Sequence, residues 1–151
     1  VTVTGNGVEN PQNFLVRLGT PIQQLLEEAR VKVNINKVIF GGPMMGIAQG
    51  NIESAVTIKG TGGILVLTDA QKWESHACIR CGRCIDSCPY GLNPSELSIL
   101  CEAKEFNLAL DNNVMECKEC GCCSYICPAK RPIVHLIKFA KADIAKRKAK
   151  A

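Results

Sequence analysis

Cys78-Ile79-Arg80-Cys81-Gly82-Arg83-Cys84-Ile85-Asp86-Ser87-Cys88-Pro89 spells C-x2-C-x2-C-x3-C-P. Thirty-nine residues later Cys117-Lys118-Glu119-Cys120-Gly121-Cys122-Cys123-Ser124-Tyr125-Ile126-Cys127-Pro128 spells it again. Three thiols set three apart wind a loop around one cubane, with backbone N–H groups aimed at its sulfides. The fourth Cys of each run points away and serves the other cluster. The spacing therefore assigns Cys78, Cys81, Cys84 and Cys127 to one [4Fe–4S] cluster, and Cys117, Cys120, Cys123 and Cys88 to a second. The Pro after each fourth Cys lacks an N–H and helps the chain leave the loop.

Other uses of cysteine fit less well. A disulfide framework suits a small secreted scaffold, and the sequence has no secretion signal. Zinc sites pair C-x2-C units a dozen or more residues apart and do not need four Cys so close together. A [3Fe–4S] centre would lack the middle Cys, yet Cys81 and Cys120 are both present. Two of the 10 Cys are surplus, Cys101 and Cys122. Cys101 shares an apolar helix face with Leu97 and Leu100 and reads as a small buried hydrophobe. Cys122 breaks the ligand spacing and reads as a core or cluster-contact thiol.

Helical patterns fill the space between and after the runs. Asn93-Pro94-Ser95-Glu96 is a cap-and-proline start for a helix to about Lys104, and a second helix covers Phe106 to Leu110. A last helix opens near Pro132, with Ile133, Leu136, Ile137, Ala140 and Ile144 down one side. Helices in these places point to an α-helical ferredoxin domain rather than a compact β-hairpin one. Trp73 and Tyr125 are expected to pack over the clusters and exclude water. His76 and His135 read as ordinary residues. Arg80, Arg83 and Lys118 lie inside the loops, where cations favour the reduced, more negative cluster.

The first half is built differently. Val1-Thr2-Val3-Thr4 alternates and runs into Gly5-Asn6-Gly7, a strand followed by turn chemistry. Further strands are expected at Phe14–Leu18, Lys37–Phe40, Ala55–Ile58 and Ile64–Leu67. Thr20-Pro21-Ile22-Gln23 predicts a helix from about Pro21 to Arg30, with Thr20 as N-cap, Pro21 at the first helical position and Gln23 closing a capping box. Ile22, Leu25, Leu26 and Ala29 form its apolar face. Two strands, a crossing helix and further strands are the order of a β-grasp fold. Gly41-Gly42-Pro43-Met44-Met45-Gly46 reads as a tight turn with Met44 and Met45 packed beneath it. It lacks the Lys-Ser/Thr of a phosphate loop, and Pro43 removes an N–H. Nothing in this half pairs a nucleophile with a base, so no catalytic residue is assigned.

Composition agrees with two small domains, 1–70 and 71–151, in an α+β chain. Of 151 residues 46% are hydrophobic and 21% charged, and the net charge is +4. All 10 Cys lie between Cys78 and Cys127, and the positive excess lies wholly beyond residue 70. Lys130, Arg131, Lys138, Lys141, Lys146, Arg147, Lys148 and Lys150 face only Asp143 in the tail. A solvated helix end is the default reading of that tail; steering of an acidic redox partner or contact with anionic lipid are alternatives. No aromatic stacking platform accompanies the tail, which argues against nucleic acid. No apolar run is long enough to span a membrane. Val1 in place of an initiator Met reads as the start of a piece of a longer protein.

The Val-Thr-Val-Thr-Gly opening, Asn13-Phe14-Leu15-Val16-Arg17-Leu18-Gly19-Thr20-Pro21, the Gly41–Gly46 segment and Cys78-Ile79-Arg80-Cys81-Gly82-Arg83-Cys84 together resemble the RnfC (RsxC) family of the Rnf electron-transport complex. The resemblance covers essentially the whole chain. It implies a soluble-ligand-binding β-grasp (SLBB) domain followed by a two-cluster ferredoxin domain, within an ion-translocating NADH/ferredoxin oxidoreductase. It also implies other membrane subunits as partners and a peripheral position on the cytoplasmic face of the bacterial inner membrane. FMN and NADH would bind an upstream domain that the chain does not match. PduS-type cobalamin reductases look similar, and that resemblance implies instead a corrinoid-binding β-grasp domain.

Overall fold

The computed structural model describes residues 1–70 and 73–149. They fall into two compact units that divide between Ala70 and Trp73.

The first unit is a five-stranded mixed sheet crossed by one helix. Its strands are β1 (Thr2–Thr4), β2 (Gln12–Asn13), β3 (Lys37–Phe40), β4 (Ile47–Ala48) and β5 (Gly63–Leu67), and helix α1 spans Ile22–Glu28. The order across the sheet is β2-β1-β5-β3-β4. β1 and β5 run parallel, with Val3 opposite Ile64, and the other pairs are antiparallel. Side chains alternate across a strand with a period of two, so Ile64 and Val66 point to the same face of β5. They share one buried cluster with Val3, Val38 and the helical Ile22, Leu25, Leu26 and Ala29. Gly5 lies so close to β5 that a Cβ there would sit 2.0 Å from the Val66 carbonyl oxygen, and its φ is +124°. Only glycine meets both demands.

Four expectations for this unit need correcting. Phe14–Leu18 is extended and alternates in burial, with Phe14 and Val16 packed against the core and Leu15 and Leu18 exposed, but it is not a strand. The ladder with β1 ends where Val1 and Phe14 exchange backbone bonds, leaving the later residues no strand to pair with. Ala55–Ile58 is likewise no sheet strand. It pairs with the segment leading into α1 through the Pro21–Val56 bridge, the Thr57 N–H donating to the Thr20 carbonyl (2.8 Å) and the Ile22 N–H donating to the Ala55 carbonyl (3.0 Å). That last bond satisfies a donor at the helix start, so no capping box forms: Pro21 is the N-cap, and the Thr20 hydroxyl turns back to donate to the Arg17 carbonyl. Finally, the Gly41–Gly46 turn joins β3 to β4, but Met44 and Met45 are exposed rather than packed beneath it.

The second unit is helical: α2 (Arg83–Asp86), α3 (Pro94–Glu102), α4 (Phe106–Asp111), a 3-10 turn at Val114–Glu116, α5 (Cys122–Ile126) and α6 (Ile133–Lys148). α3 begins as its sequence predicts. The Asn93 side chain accepts from the Glu96 N–H and donates to the Glu96 carboxylate, and Pro94 takes the first turn. Ile133, Val134, Ile137, Ala140 and Ile144 are the buried stripe of α6. They pack with Leu97 and Cys101 of α3 and with Phe106 and Ala109 of α4. Phe106 meets Phe139 edge to face, 6.0 Å between ring centroids.

Candidate iron–sulfur centres

Both cysteine runs adopt the same backbone path. Arg80 and Glu119 occupy the left-handed region with φ of 53° and 58°, and Gly82 and Gly121 do so with 78° and 89°. Each pair is separated by the same 39-residue interval as the motif. The repeat continues past the fourth Cys, where Gly91 (63°) and Lys130 (51°) are again left-handed. Non-glycine residues rarely adopt this conformation, so its recurrence in register marks one loop built twice. Gly82 and Gly121 then cap the short helices α2 and α5, which carry Cys84 and Cys123.

Two cavities lie inside these loops. One encloses about 370 Å³ of unfilled space, part of it open to solvent, and is lined by Cys78, Cys81, Cys84 and Cys127. The other, about 350 Å³, is lined by Cys117, Cys120, Cys123 and Cys88. Each thus takes the three motif-spaced thiols of one run and the last thiol of the other, and the second is lined by Cys122 as well. Among the described residues no group of His, Cys, Asp or Glu converges to hold a single metal ion. Zinc would need its donors about 2.3 Å from one point. Thiols spread around the wall of a cavity suit a body of several atoms instead.

Three of the lining thiols, Cys84, Cys117 and Cys123, hold their protons more tightly than a free thiol. Burial pushes the Cys84 and Cys117 thiols up, and that of Cys123 to about 11. Only thiolates ligate, so loading of these sites releases protons. The loops also offer donors: the Glu119 N–H points at Cys117 Sγ over 3.4 Å. The Lys141 ammonium bonds the Cys117 carbonyl (2.8 Å) and the Glu119 carboxylate (2.6 Å), clamping the second loop to α6. In the first cavity Arg131 is 8% exposed, with its terminal nitrogen on Glu102 at 2.5 Å. Its Nε is buried without a hydrogen-bond partner among the described residues. Such an orphan costs about 1–3 kcal/mol unless something accepts from it. At least four thiols per cavity, a donor facing sulfur in the second and an orphaned N–H beside the thiols of the first all fit an acid-labile cluster.

The surplus cysteines separate. Cys101 lies in the helical core, 1% exposed. Cys122 lines the second cavity with the other four thiols, and a hydrogen bond with Cys120 raises its pKa. Of the two roles the spacing leaves to Cys122, core or cluster-contact thiol, its place in the cavity wall favours the second. Trp73 and Tyr125 do not cover the cavities: they are 63% and 79% exposed, and Trp73 instead carries the Lys130 ammonium 4.6 Å above its ring. His76 and His135 are exposed, as ordinary residues would be.

A family profile for the SLBB domain matches residues 1–48, and one for a 4Fe–4S binding domain matches residues 72–93. The C subunit of the proton-translocating ferredoxin:NAD(+) oxidoreductase complex of Clostridium ljungdahlii is 42% identical over 94% of this chain and 32% of its own length. The C subunit of the ion-translocating oxidoreductase complex of Rhodobacter capsulatus is 40% identical over 99% of this chain and 29% of its own. This chain is homologous to RnfC. A third relative, the C subunit of the Na(+)-translocating ferredoxin:NAD(+) oxidoreductase complex of Acetobacterium woodii, is 40% identical over 99% of this chain. The chain spans about a third of the length of these curated relatives. These relatives are named as subunits of ion-translocating oxidoreductase complexes, and residues 72–93 of this chain match a 4Fe–4S binding domain. Among the described residues no helix is long and apolar enough to cross a membrane.

Proposed function

We propose that this chain is the electron-relay portion of an ion-translocating NADH/ferredoxin oxidoreductase and that it holds two [4Fe–4S] clusters. Cys78, Cys81, Cys84 and Cys127 hold the first; Cys117, Cys120, Cys123 and Cys88 hold the second. The observation that carries this reading is the crosswise supply of the fourth thiol to two cavities whose loops repeat residue for residue. Each cluster, when bound, takes up and returns one electron. The chain's own part is to present deprotonated sulfur, to aim N–H donors at it, and to keep the two sites neighbours by sharing cysteines between them. No general acid, base or nucleophile is needed. The strand order, with the first and last strands parallel at the centre, supports a β-grasp domain at residues 1–70, ahead of a ferredoxin domain at 71–151.

The homology supports the setting. In the proposed reading electrons pass between a flavin on an upstream domain, where FMN and NADH would bind, and other subunits of a membrane complex. In this reading the chain lies at the cytoplasmic face of the membrane, peripheral to the subunits that cross it. Anaerobic reconstitution with iron and sulfide analysis tests the core of this proposal. About eight Fe per chain, with EPR of the reduced protein showing two interacting centres, is the expected result. About four Fe would mean that one run is not a site.

A further inference from the structure

The 39-residue repeat allows the two cavities to be compared wall by wall. Pro128 and Ile133 of the first match Pro89 and Pro94 of the second, so equivalent segments line both. Four matched positions differ in kind, and at one of them the second cavity is the bulkier and more polar, with Tyr90 where the first has Ala129. Where the first cavity has Ser95 and Ser98 from α3, the second has Val134 and Ile137 from α6. Where the first has Arg131, the second has Leu92. Two hydroxyls and a guanidinium in the first thus stand where the second has three hydrocarbon side chains, while the second adds the Tyr90 phenol and the extra thiol of Cys122.

We propose that Arg131 sets the first site at the more positive potential, by donating its buried Nε–H to a sulfur of the cluster held there. The inference rests on the two-cluster reading above. Hydrogen bonds to sulfur and a polar surround favour the reduced cluster, which carries the extra negative charge. Arg131 is placed for this and for little else: it is 8% exposed, its terminal nitrogen holds Glu102, and its Nε faces no acceptor among the described residues. The second site has a cation nearby in Lys141, but that ammonium bonds the Cys117 carbonyl and the Glu119 carboxylate and does not line the cavity. The backbone donor at Glu119 belongs to a loop whose φ values recur at Arg80, so it does not separate the sites. An electron entering the chain therefore settles first on the site of Cys78, Cys81, Cys84 and Cys127. Arg131 is a positioning and tuning residue, not a ligand.

The test is a potentiometric titration of the reconstituted chain with dithionite as one-electron donor, followed by EPR. Cys81→Ser alters the signal of the first site and so labels its wave. In the parent chain that wave is expected to be the more positive of two. Arg131→Leu, which installs the residue found at the matching position, is expected to weaken reduction of the first site at least tenfold, about 59 mV for one electron. The second wave should stay in place. Leu92→Gln supplies the reciprocal measurement with the first site intact, and it should raise the second wave and narrow the gap. A first wave that ignores Arg131→Leu, two waves that shift together, or a second wave that ignores Leu92→Gln would each overturn the assignment. Iron content separates the two failures. About four Fe in the parent chain sinks the two-cluster reading, whereas about eight Fe with unmoved waves sinks only the role of Arg131.

Discussion

Among the ten cysteines, environment divides the roles more sharply than spacing does. Cys101 is walled into the helical core, and burial lifts its thiol from 9.0 to about 11. In the folded chain it should resist alkylation by iodoacetamide and react only on unfolding, which mass spectrometry will read. The sign of its pH dependence follows from the same shift. The folded state holds this proton more tightly than the unfolded one, so its contribution is complete below about pH 9 and falls away as pH rises toward about 11. Denaturant unfolding of the metal-free chain from pH 8 to 11 should show that decline, and Cys101→Ala should flatten it without reducing iron content in the loaded protein. Cys122 poses the opposite question, since it shares a cavity with the proposed ligands. If the register is Cys117, Cys120 and Cys123, then Cys122→Ser keeps about eight Fe while Cys123→Ser falls well short of it. The reverse outcome would shift the loop by one residue. Basic residues sort in the same way. Lys130 covers Trp73, Arg131 holds Glu102, Lys138 and Lys141 hold Glu119, and Arg147 bonds Asp143 and stacks on Phe106. Much of what reads as a charged tail is therefore internal fastening.

At the scale of elements, local signals were reliable wherever the partner was local. α3 opens on its Asn93 cap because the cap, the proline and Glu96 are within three residues of one another. Asn93→Ala should cost about 1 kcal/mol, measurable as a shift in the chemical denaturation midpoint of the second unit. The stripe of α6 and the strands β1, β3 and β5 were equally legible, since each carries its own periodicity. Phe14–Leu18 and Ala55–Ile58 were not. Both alternate as strands do, but an extended segment becomes a strand only by finding a free edge, and which edge is free depends on residues far away in sequence. Thr20 failed as a cap for the same reason: Ala55, 33 positions after Ile22, had already supplied that residue's acceptor. The cysteine spacing revealed which thiols would share a cavity, because a loop wound on one body fixes them locally. It was silent on Arg131 against Leu92, since that contrast appears only when the two cavities are laid over each other. Trp73 and Tyr125 were placed over the cavities on chemical suitability alone, and the chain puts them in solvent.

On the scale of the whole molecule, the two units have separate buried clusters with no residue in common. Ile64 is fully buried in the first, between the sheet and α1. Ile64→Ala should destabilise that unit by about 2–5 kcal/mol, seen by denaturant unfolding followed at the sheet, while the visible absorption of the clusters stays at its parental intensity. Loss of colour in that variant would show that the units depend on each other for their integrity. Redox cycling bears on the role of the second unit. Dithionite reduction followed by full recovery of the visible spectrum is expected of a relay, whereas collapse on reduction would make the clusters mere staples.

The crossing of Cys88 and Cys127 has one more consequence. A socket that borrows part of its rim from its twin cannot be emptied alone: the residue set adrift by oxidation on one side is anchored in the loop that encircles the other. Damage should thus run through the pair, and partially stripped protein should be scarce beside the full and the empty forms.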